Sequence, residues 1–134
     1  MKIAPESVER IISQLRFKNG LITAVVRDYK TKEVLMVAYQ NREAVKRTFL
    51  DGQMYYWSRS RKKLWLKGEN SKHRQLLRRA YVDCDGDAIL YDVKQVGGAC
   101  HKGYRSCFFR EIKNGELAVV RRKIFEPAEV YSSK

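Results

Sequence analysis

The first twenty residues carry apolar side chains at the spacing of a helix that buries one face. These positions recur at intervals of three and four residues, the period of one helical face. They are Val8, Ile11, Ile12 and Leu15. Pro5 suits a first helical turn, and Asn19 and Gly20 favour a chain reversal. The pattern therefore predicts a helix over Pro5–Phe17 that packs on a sheet.

A second, short helix is predicted over Asn41–Leu50. Asn41 has the side chain of a good N-cap, and Gly52 stands where a left-handed residue ends many helices. Its buried side is predicted to consist of Ala44, Val45, Thr48 and Phe49.

The rest of the chain alternates apolar runs with turn residues, which is typical of strands. Asn114 and Gly115 give the strongest hairpin signal. The predicted strands are Leu21–Asp28, Glu33–Gln40, Met54–Ser58, Leu64–Lys67, His73–Asp83, Ala88–Val96, Cys107–Ile112 and Glu116–Val120. We expect one α+β domain over residues 1–134, a mostly antiparallel sheet assembly with two short helices and a loosely held tail after Pro127.

Composition indicates a chain that folds without a metal staple. It has 134 residues, 44% of them hydrophobic, which is enough for a substantial core. A metal site would then be functional or would join subunits. No apolar run reaches about 18 residues, so we expect no membrane span. The N-terminal segment is too charged for a signal peptide, and a reduced, cytoplasmic setting is expected.

The net charge of +13 favours anionic partners. Nucleic acid and a phosphorylated small molecule are both candidates. A solvated basic surface with no specific partner is the alternative.

Three cysteines, Cys84, Cys100 and Cys107, fall in one 25-residue stretch that also holds clustered aspartates and a histidine. Three thiolates can bind Zn²⁺ and leave its fourth position for water, as in catalytic rather than structural zinc sites. Such an ion lowers the pKa of water to about 7. The alternative is three unrelated thiols in a core.

Three aspartates, Asp83, Asp85 and Asp87, alternate along the same stretch. On an extended strand, their side chains would share one face and Cys84 would point to the other. Carboxylates grouped in this way suit a hard cation such as Mg²⁺. A solvated acidic turn is the alternative. Because Cys84 and the aspartates would point to opposite faces, they would serve two separate metal sites. Different subunits could supply the remaining ligands of each site.

His101 follows Cys100 in the glycine-bounded loop GGACHKG. A histidine of ordinary pKa, about 6.5, suits proton transfer at neutral pH. A surface histidine without a role is the alternative.

A basic and aromatic stretch precedes the cysteines. Trp57 and Trp65 can stack on a base, while cationic side chains can meet phosphates. The cations are Arg59, Arg61, Lys67 and Arg74. The same composition describes a single-strand or RNA platform. Two core tryptophans with a solvated turn between them are the alternative.

Several motifs in order, WSRSR, LWLKGE, DCDGDA and GGACHKGYRSCF, closely resemble the monofunctional phosphoribosyl-AMP cyclohydrolases of histidine biosynthesis. NREA in the second helix fits as well. The resemblance runs from about Leu21 to Arg110. It implies a cytoplasmic homodimer that opens the N1–C6 bond of the adenine ring in N1-(5-phosphoribosyl)-AMP by a zinc-activated water.

The resemblance also implies roles for individual residues. Zinc would be held by Cys100 and Cys107 of one subunit and Cys84 of the other. Magnesium would be held by the three aspartates, Asp83, Asp85 and Asp87. His101 would be the catalytic acid and base. Substrate would be bound by Arg59, Arg61, Trp65, Lys67 and His73. The chain departs from the family at Lys72, where a small residue is usual, and a positive φ there would carry a cost.

A non-enzymatic, zinc-containing nucleic-acid-binding module is the competing interpretation, and the cyclohydrolase resemblance disfavours nucleic acid as the partner. Its binding would weaken steeply with salt.

Overall fold

The structure is a computed structural model that describes residues 1–131. Its elements in chain order are α1 (Pro5–Ser13), β1 (Ile22–Asp28), β2 (Val34–Gln40), α2 (Arg42–Asp51), β3 (Tyr55–Ser58), β4 (Lys63–Leu66), β5 (Gln75–Val82), β6 (Ala88–Gln95), β7 (Arg110–Lys113), β8 (Glu116–Val119) and α3 (Pro127–Tyr131). The α+β prediction is confirmed, and every predicted strand is present with ends shifted by a few residues.

The central sheet has four strands in the order β2-β1-β6-β5. The β1–β6 pairing is parallel, whereas β1–β2, β5–β6 and the separate two-stranded sheets β3–β4 and β7–β8 are antiparallel. The sheet is therefore mixed, which the sequence patterns did not indicate. The parallel pair arises because α2 and the β3–β4 hairpin carry the chain across before β5 and β6 return beside β1.

Both long helices pack on the sheet through their predicted faces. α1 buries Val8 and Ile12, and α2 buries its predicted apolar side. The Asn41 side chain accepts a hydrogen bond from the Ala44 amide at 2.9 Å, and Gly52 ends α2 at φ +73°. These caps confirm the predicted second helix, with each end one residue later than predicted.

Two predictions about helices are wrong. α1 ends at Ser13 rather than Phe17, because the chain then turns so that the Arg16 amide donates to the Gly86 carbonyl at 2.8 Å. A third helix, α3, follows Phe125, whose ring contacts that of Tyr131 with centroids 6.3 Å apart. The rest of the tail that was predicted to be loosely held lies outside the described residues. No helix of the described chain has the length and apolar character needed to cross a membrane.

The β7–β8 hairpin exposes apolar side chains. Ile112 is 77% exposed, Leu117 60% and Val119 58%. The hairpin strands pair with each other and pack extensively on no other described helix or strand. An apolar face of this kind marks an interaction surface.

A buried carboxylate, that of Asp92, ties the β1–β2 turn to the central strand β6. It is fully buried, and it accepts hydrogen bonds from Arg27 Nε and from Lys32 Nζ at 3.2 Å. Burial acts to raise the pKa of Asp92, but the two cations outweigh it and hold the pKa below its usual value.

We expect Asp92→Asn to lower the free energy of unfolding at neutral pH by about 2 kcal/mol, because hydrogen bonds to a charged group are lost. The wild-type contribution is fully present above the ordinary aspartate pKa of about 3.9 and is lost as the pH falls through the lower pKa of folded Asp92. The variant should therefore lose less stability between about pH 5 and about pH 3. Denaturant unfolding at several pH values measures this. Glu116→Gln, on the exposed hairpin, is the control, and equal acid sensitivity of wild type and Asp92→Asn would contradict the assignment.

Candidate metal and substrate site

The three predicted magnesium ligands lie on a tight turn and not on an extended strand. β5 ends at Val82, and residues 83–87 reverse the chain with Gly86 at φ +76°. Asp83 Oδ1 accepts hydrogen bonds from the amides of Asp87 at 3.0 Å and Ala88 at 3.2 Å. The predicted strand alternation is wrong at this point, because the aspartate side chain caps its own turn.

The turn nevertheless brings the carboxylates of Asp83, Asp85 and Asp87 together. Each can offer an oxygen within 4.8 Å of the others, and all three residues are exposed. Hydrogen bonding with Asp85 and Asp83 raises the pKa of Asp87. Burial acts to raise the pKa of Asp83, but its hydrogen bonds to Asp87 and to backbone amides outweigh it and lower the pKa. Clustered hard oxygen donors of this kind fit a magnesium ion.

Cys100 and Cys107 meet on one loop at the end of the sheet. Cys100 is buried and accepts a hydrogen bond from the Lys102 amide at 3.4 Å. The Cys107 amide donates to the Leu35 carbonyl at 2.7 Å. Although part of Cys107 is exposed, burial and then the neighbouring Cys100 thiol raise the pKa of its thiol, Lys67 opposes the rise, and the resulting pKa is about 11. Two soft donors side by side fit part of a zinc site.

Cys84 does not join the other two thiols in one chain. Within residues 1–131, the aspartates form the only cluster of three potential metal-ligating side chains whose donor atoms lie within 4.8 Å of one another. Cys84 lies instead in the aspartate turn, exposed to solvent. A single chain thus places two thiols together and the third elsewhere.

An ion pair anchors the cysteine loop to the β1–β2 hairpin. The Arg105 guanidinium contacts Asp28 Oδ1 at 2.5 Å and Glu33 Oε1 at 3.5 Å. The carbonyl of the same arginine accepts the Ala99 amide at 2.9 Å. The Ser106 hydroxyl donates to the Val34 carbonyl at 2.7 Å. The sequence motifs did not indicate these contacts, which hold the loop between the two cysteines.

The two histidines have different surroundings. His101 is exposed on the cysteine loop beside Cys100. His73 is half-buried, with Nδ1 accepting the Gly98 amide at 3.4 Å and its ring edge on Phe125 at a centroid distance of 4.5 Å. A Cβ at position 97 would lie 2.6 Å from the His73 ring. His73 therefore packs under the glycine end of the loop, while His101 is accessible to a substrate.

Lys67, predicted to bind phosphate, is buried at 7% exposure. Its ammonium donates to the Ala99 carbonyl at 2.6 Å and lies 5.6 Å from the Trp65 ring centroid. Burial lowers its pKa, and the nearby thiols of Cys107 and Cys100 act in the opposite direction. Its position makes Lys67 a cationic neighbour of the thiol pair, and its ammonium is not available to a phosphate at the surface.

The remaining predicted substrate residues lie on the β3–β4 hairpin. Arg59 and Arg61 are exposed in its turn, and the Arg59 guanidinium lies 4.2 Å from the Tyr39 ring centroid. Trp65 is half-buried and packs on Tyr56 with ring centroids 5.2 Å apart. Trp65 thus has a packing role, whereas the arginines are free to meet a ligand.

Lys72 adopts a left-handed conformation, at φ +67°. The family resemblance had raised this possibility, because a small residue is usual at that position. We expect Lys72→Gly to raise the free energy of unfolding by about 1 kcal/mol, because glycine has no Cβ to strain. The melting temperature should rise by about 4 °C, measurable by calorimetry. Lys72→Ala keeps the Cβ and is the control. A gain of equal size in both variants would show that the lysine side chain, and not the backbone, is unfavourable.

Two clefts flank the aspartate turn. The large cleft, about 640 Å³, is lined by residues that include Cys84, Asp83, Asp85 and Arg16. The small cleft, about 270 Å³, is lined by residues that include Asp87, Arg59, Arg16 and Lys18. Arg16 and Lys18 were missed by the sequence analysis, because they lie within or just after the predicted first helix and in no motif.

Comparison with known proteins gives one consistent result. Residues 36–109 match the family model described as phosphoribosyl-AMP cyclohydrolase. The chain is 56% identical over 120 residues to the phosphoribosyl-AMP cyclohydrolase of Methanosarcina acetivorans, covering 90% of this chain and 98% of that protein. It is 58% identical over 113 residues to that of Methanothermobacter thermautotrophicus, covering 83% and 82%. It is also 46% identical to a histidine biosynthesis bifunctional protein of Thermoanaerobacter pseudethanolicus, covering 95% of this chain and 59% of the longer protein.

Proposed function

The chain belongs to the phosphoribosyl-AMP cyclohydrolase family, hydrolases of histidine biosynthesis that act on a cyclic amidine bond, and on that premise we propose that it opens the N1–C6 bond of N1-(5-phosphoribosyl)-AMP by adding an activated water at C6. The observation that carries the proposal is the loop that groups Cys100, His101 and Cys107 at the end of the sheet. It combines soft metal donors with a proton-transfer group.

We propose that zinc is held between two subunits of a homodimer, by Cys100 and Cys107 of one and by Cys84 of the other. Support comes from the separation of the thiols within one chain: two lie together and the third lies in the aspartate turn. The exposed apolar face of the β7–β8 hairpin offers a surface for a second copy. A zinc ion held in this way supplies an activated water at neutral pH.

The residues of the chain divide the remaining work. His101 is exposed beside Cys100. It takes a proton from the adding water and gives a proton to the departing N1. Asp83, Asp85 and Asp87 hold magnesium, which suits them to fix a phosphate of the substrate. Lys67 places a positive charge beside the thiols and ties the loop to β4 through the Ala99 carbonyl. Binding at the phosphates orients the ring over the reacting groups.

A reduced cytoplasm is the proposed location, because free thiols are needed as ligands. The alternative of a nucleic-acid-binding module is not favoured. Family membership accounts for the cysteine, histidine and aspartate motifs, and a doubly phosphorylated substrate accounts for the basic lining of the small cleft.

Turnover of phosphoribosyl-AMP tests the proposal directly. We expect the zinc-loaded protein to change the ultraviolet spectrum of the substrate as the ring opens. AMP is the matched control, since it lacks the N1 substituent that makes the ring electrophilic, and its spectrum should stay unchanged. Removal of zinc with a chelator should stop the reaction, and added zinc should restore it. A zinc-loaded, folded protein that leaves phosphoribosyl-AMP intact would overturn the proposed function.

A further inference from the structure

The small cleft beside the aspartate turn gathers three cations from separate parts of the chain. Arg16 follows α1, Lys18 precedes β1, and Arg59 lies in the β3–β4 turn. Within residues 1–131, none of the three forms a salt bridge, although acidic side chains lie close by. The small cleft therefore presents an excess of positive charge in a concave site.

Backbone contacts hold the first two cations in place. The Arg16 amide donates to the Gly86 carbonyl at 2.8 Å, which fixes the segment to the aspartate turn. Lys18 and Leu21 exchange backbone hydrogen bonds at 2.8 and 3.0 Å, which forms a tight turn. These hydrogen bonds fix the backbone on one side of the small cleft.

The third cation is held by an aromatic ring. The Arg59 guanidinium lies 4.2 Å from the Tyr39 ring centroid, and Tyr39 lines the same cleft with Thr23. Among residues 1–131 the Arg59 side chain makes no hydrogen bond or salt bridge, so its guanidinium can donate two parallel hydrogen bonds, the geometry that matches a phosphate. The Thr23 hydroxyl can add a further donor at the wall.

Charge and size define the ligand. Three cations and the single carboxylate of Asp87 face a space of about 270 Å³, which has room for a phosphate group with part of a ribose. A phosphomonoester carries a charge of about −1.5 to −2 at neutral pH. Asp87 belongs to the cluster proposed to hold magnesium, so a cation there would meet the same phosphate.

The small cleft and the large cleft are neighbours that share one lining residue. Arg16 lines both, and the large cleft, about 640 Å³, contains Cys84. A nucleotide with one phosphate in the small cleft can therefore extend its base toward the proposed zinc ligand. Binding of the phosphate in the small cleft would therefore determine where the adenine ring lies.

We propose that Arg16, Lys18 and Arg59 form the binding site for one phosphomonoester of the substrate, so that Arg59 is kept from the predicted substrate residues and Arg16 and Lys18 are added. The inference rests on the proposed function for the identity of the whole substrate, but the phosphate site is defined by the cleft alone. Lys67 and Arg61 have no part in it: the first is buried and the second does not line the small cleft.

Charge-removing variants of the small cleft test the inference. Arg59→Gln and Lys18→Gln should each raise the KM for phosphoribosyl-AMP about 10-fold or more, because each removes a hydrogen bond to a charged group. The kcat should change much less, since the groups at the reacting carbon are intact. Lys63→Gln, on the same hairpin but outside both clefts, removes equal charge and should leave KM within about twofold, as expected for a solvent-exposed lysine.

A binding measurement separates this inference from the proposed function. Calorimetric titration of the magnesium-loaded protein with AMP should give binding that Arg59→Gln weakens about 10-fold, while adenosine, which lacks phosphate, should bind equally weakly to both. If wild type turns over phosphoribosyl-AMP but neither KM nor AMP affinity responds to the two variants, the phosphate site is wrong. If wild type does not turn over the substrate, a loss of AMP affinity in Arg59→Gln still supports the site and its retention refutes it.

Discussion

Cys100→Ala is expected to lose bound zinc and to reduce turnover to background while the protein stays folded. The Cys100 sulfur is buried beside Cys107, so its removal leaves two of three proposed donors and a poor site. The side chain is small, and its loss should cost only about 1 kcal/mol of stability. Elemental analysis for zinc, a melting curve and the ultraviolet assay measure the three properties separately.

Cys84→Ala should give the same loss, although this residue lies elsewhere in the chain. The two inactive variants then allow a sharper experiment, in which they are mixed and allowed to exchange subunits. If zinc is shared between subunits, the mixed dimer has one intact site, since the Cys100→Ala chain supplies Cys84 and its partner supplies Cys100 and Cys107. After random exchange, half of the dimers contain one chain of each variant. Each of these dimers has one intact site of two, so about a quarter of wild-type activity should return.

Full activity in zinc-free Cys100→Ala would remove zinc from the reaction. A failure of the mixed sample to regain activity, with subunit exchange verified by mass, would place all three thiols in one chain and contradict the shared site. Cys100→Ala mixed with Cys107→Ala is the matched control. Both variants damage the same half of the site, so no activity should return.

His101→Ala is expected to lower kcat by about 10² to 10⁴, the usual contribution of a positioned general acid and base. His101 is exposed on the cysteine loop and, among the described residues, makes no side-chain hydrogen bond or salt bridge. Its removal should therefore leave zinc content and melting temperature unchanged. Rapid kinetics on the zinc-loaded variant measures kcat and KM, and added imidazole should restore part of the rate.

Lys102→Ala is the control for His101, because it shortens the next exposed side chain of the loop and keeps the amide that donates to the Cys100 sulfur. An unchanged kcat in His101→Ala would exclude the residue from proton transfer. A raised KM with unchanged kcat would assign it to binding instead.

The sequence predicted the local structure well because local signals determine it. The Asn41 cap, the Gly52 end of α2 and the Asn114-Gly115 hairpin depend on residues adjacent in the chain, and the structure has all three. The parallel β1–β6 pairing joins strands about 65 residues apart, and no local pattern encodes it. The short α3 also lies outside any periodic apolar run.

The candidate site was predicted in part. The aspartates were predicted to lie together from their residue type and close spacing. The predicted strand geometry was wrong, because Gly86 and the Asp83 side chain form a turn. Lys67 was predicted to bind phosphate from its place in a basic and aromatic stretch, whereas tertiary packing buries its ammonium against the Ala99 carbonyl. Arg16 joins the site only because α1 ends early and the chain then reaches Gly86. Burial and long-range approach are properties of the fold that residue type does not specify.

The contact between the segment after α1 and Gly86 has a thermodynamic consequence. A Cβ at position 86 would come within 3.1 Å of the Gln14 carbonyl oxygen, so the aspartate turn and the segment that carries Arg16 are packed against each other. Magnesium held on the turn and phosphate held by Arg16 are then expected to bind cooperatively. Thermodynamic linkage is reciprocal: if bound metal increases phosphate affinity by a given factor, bound phosphate increases metal affinity by the same factor. The enzyme would acquire its magnesium most strongly when substrate is already present.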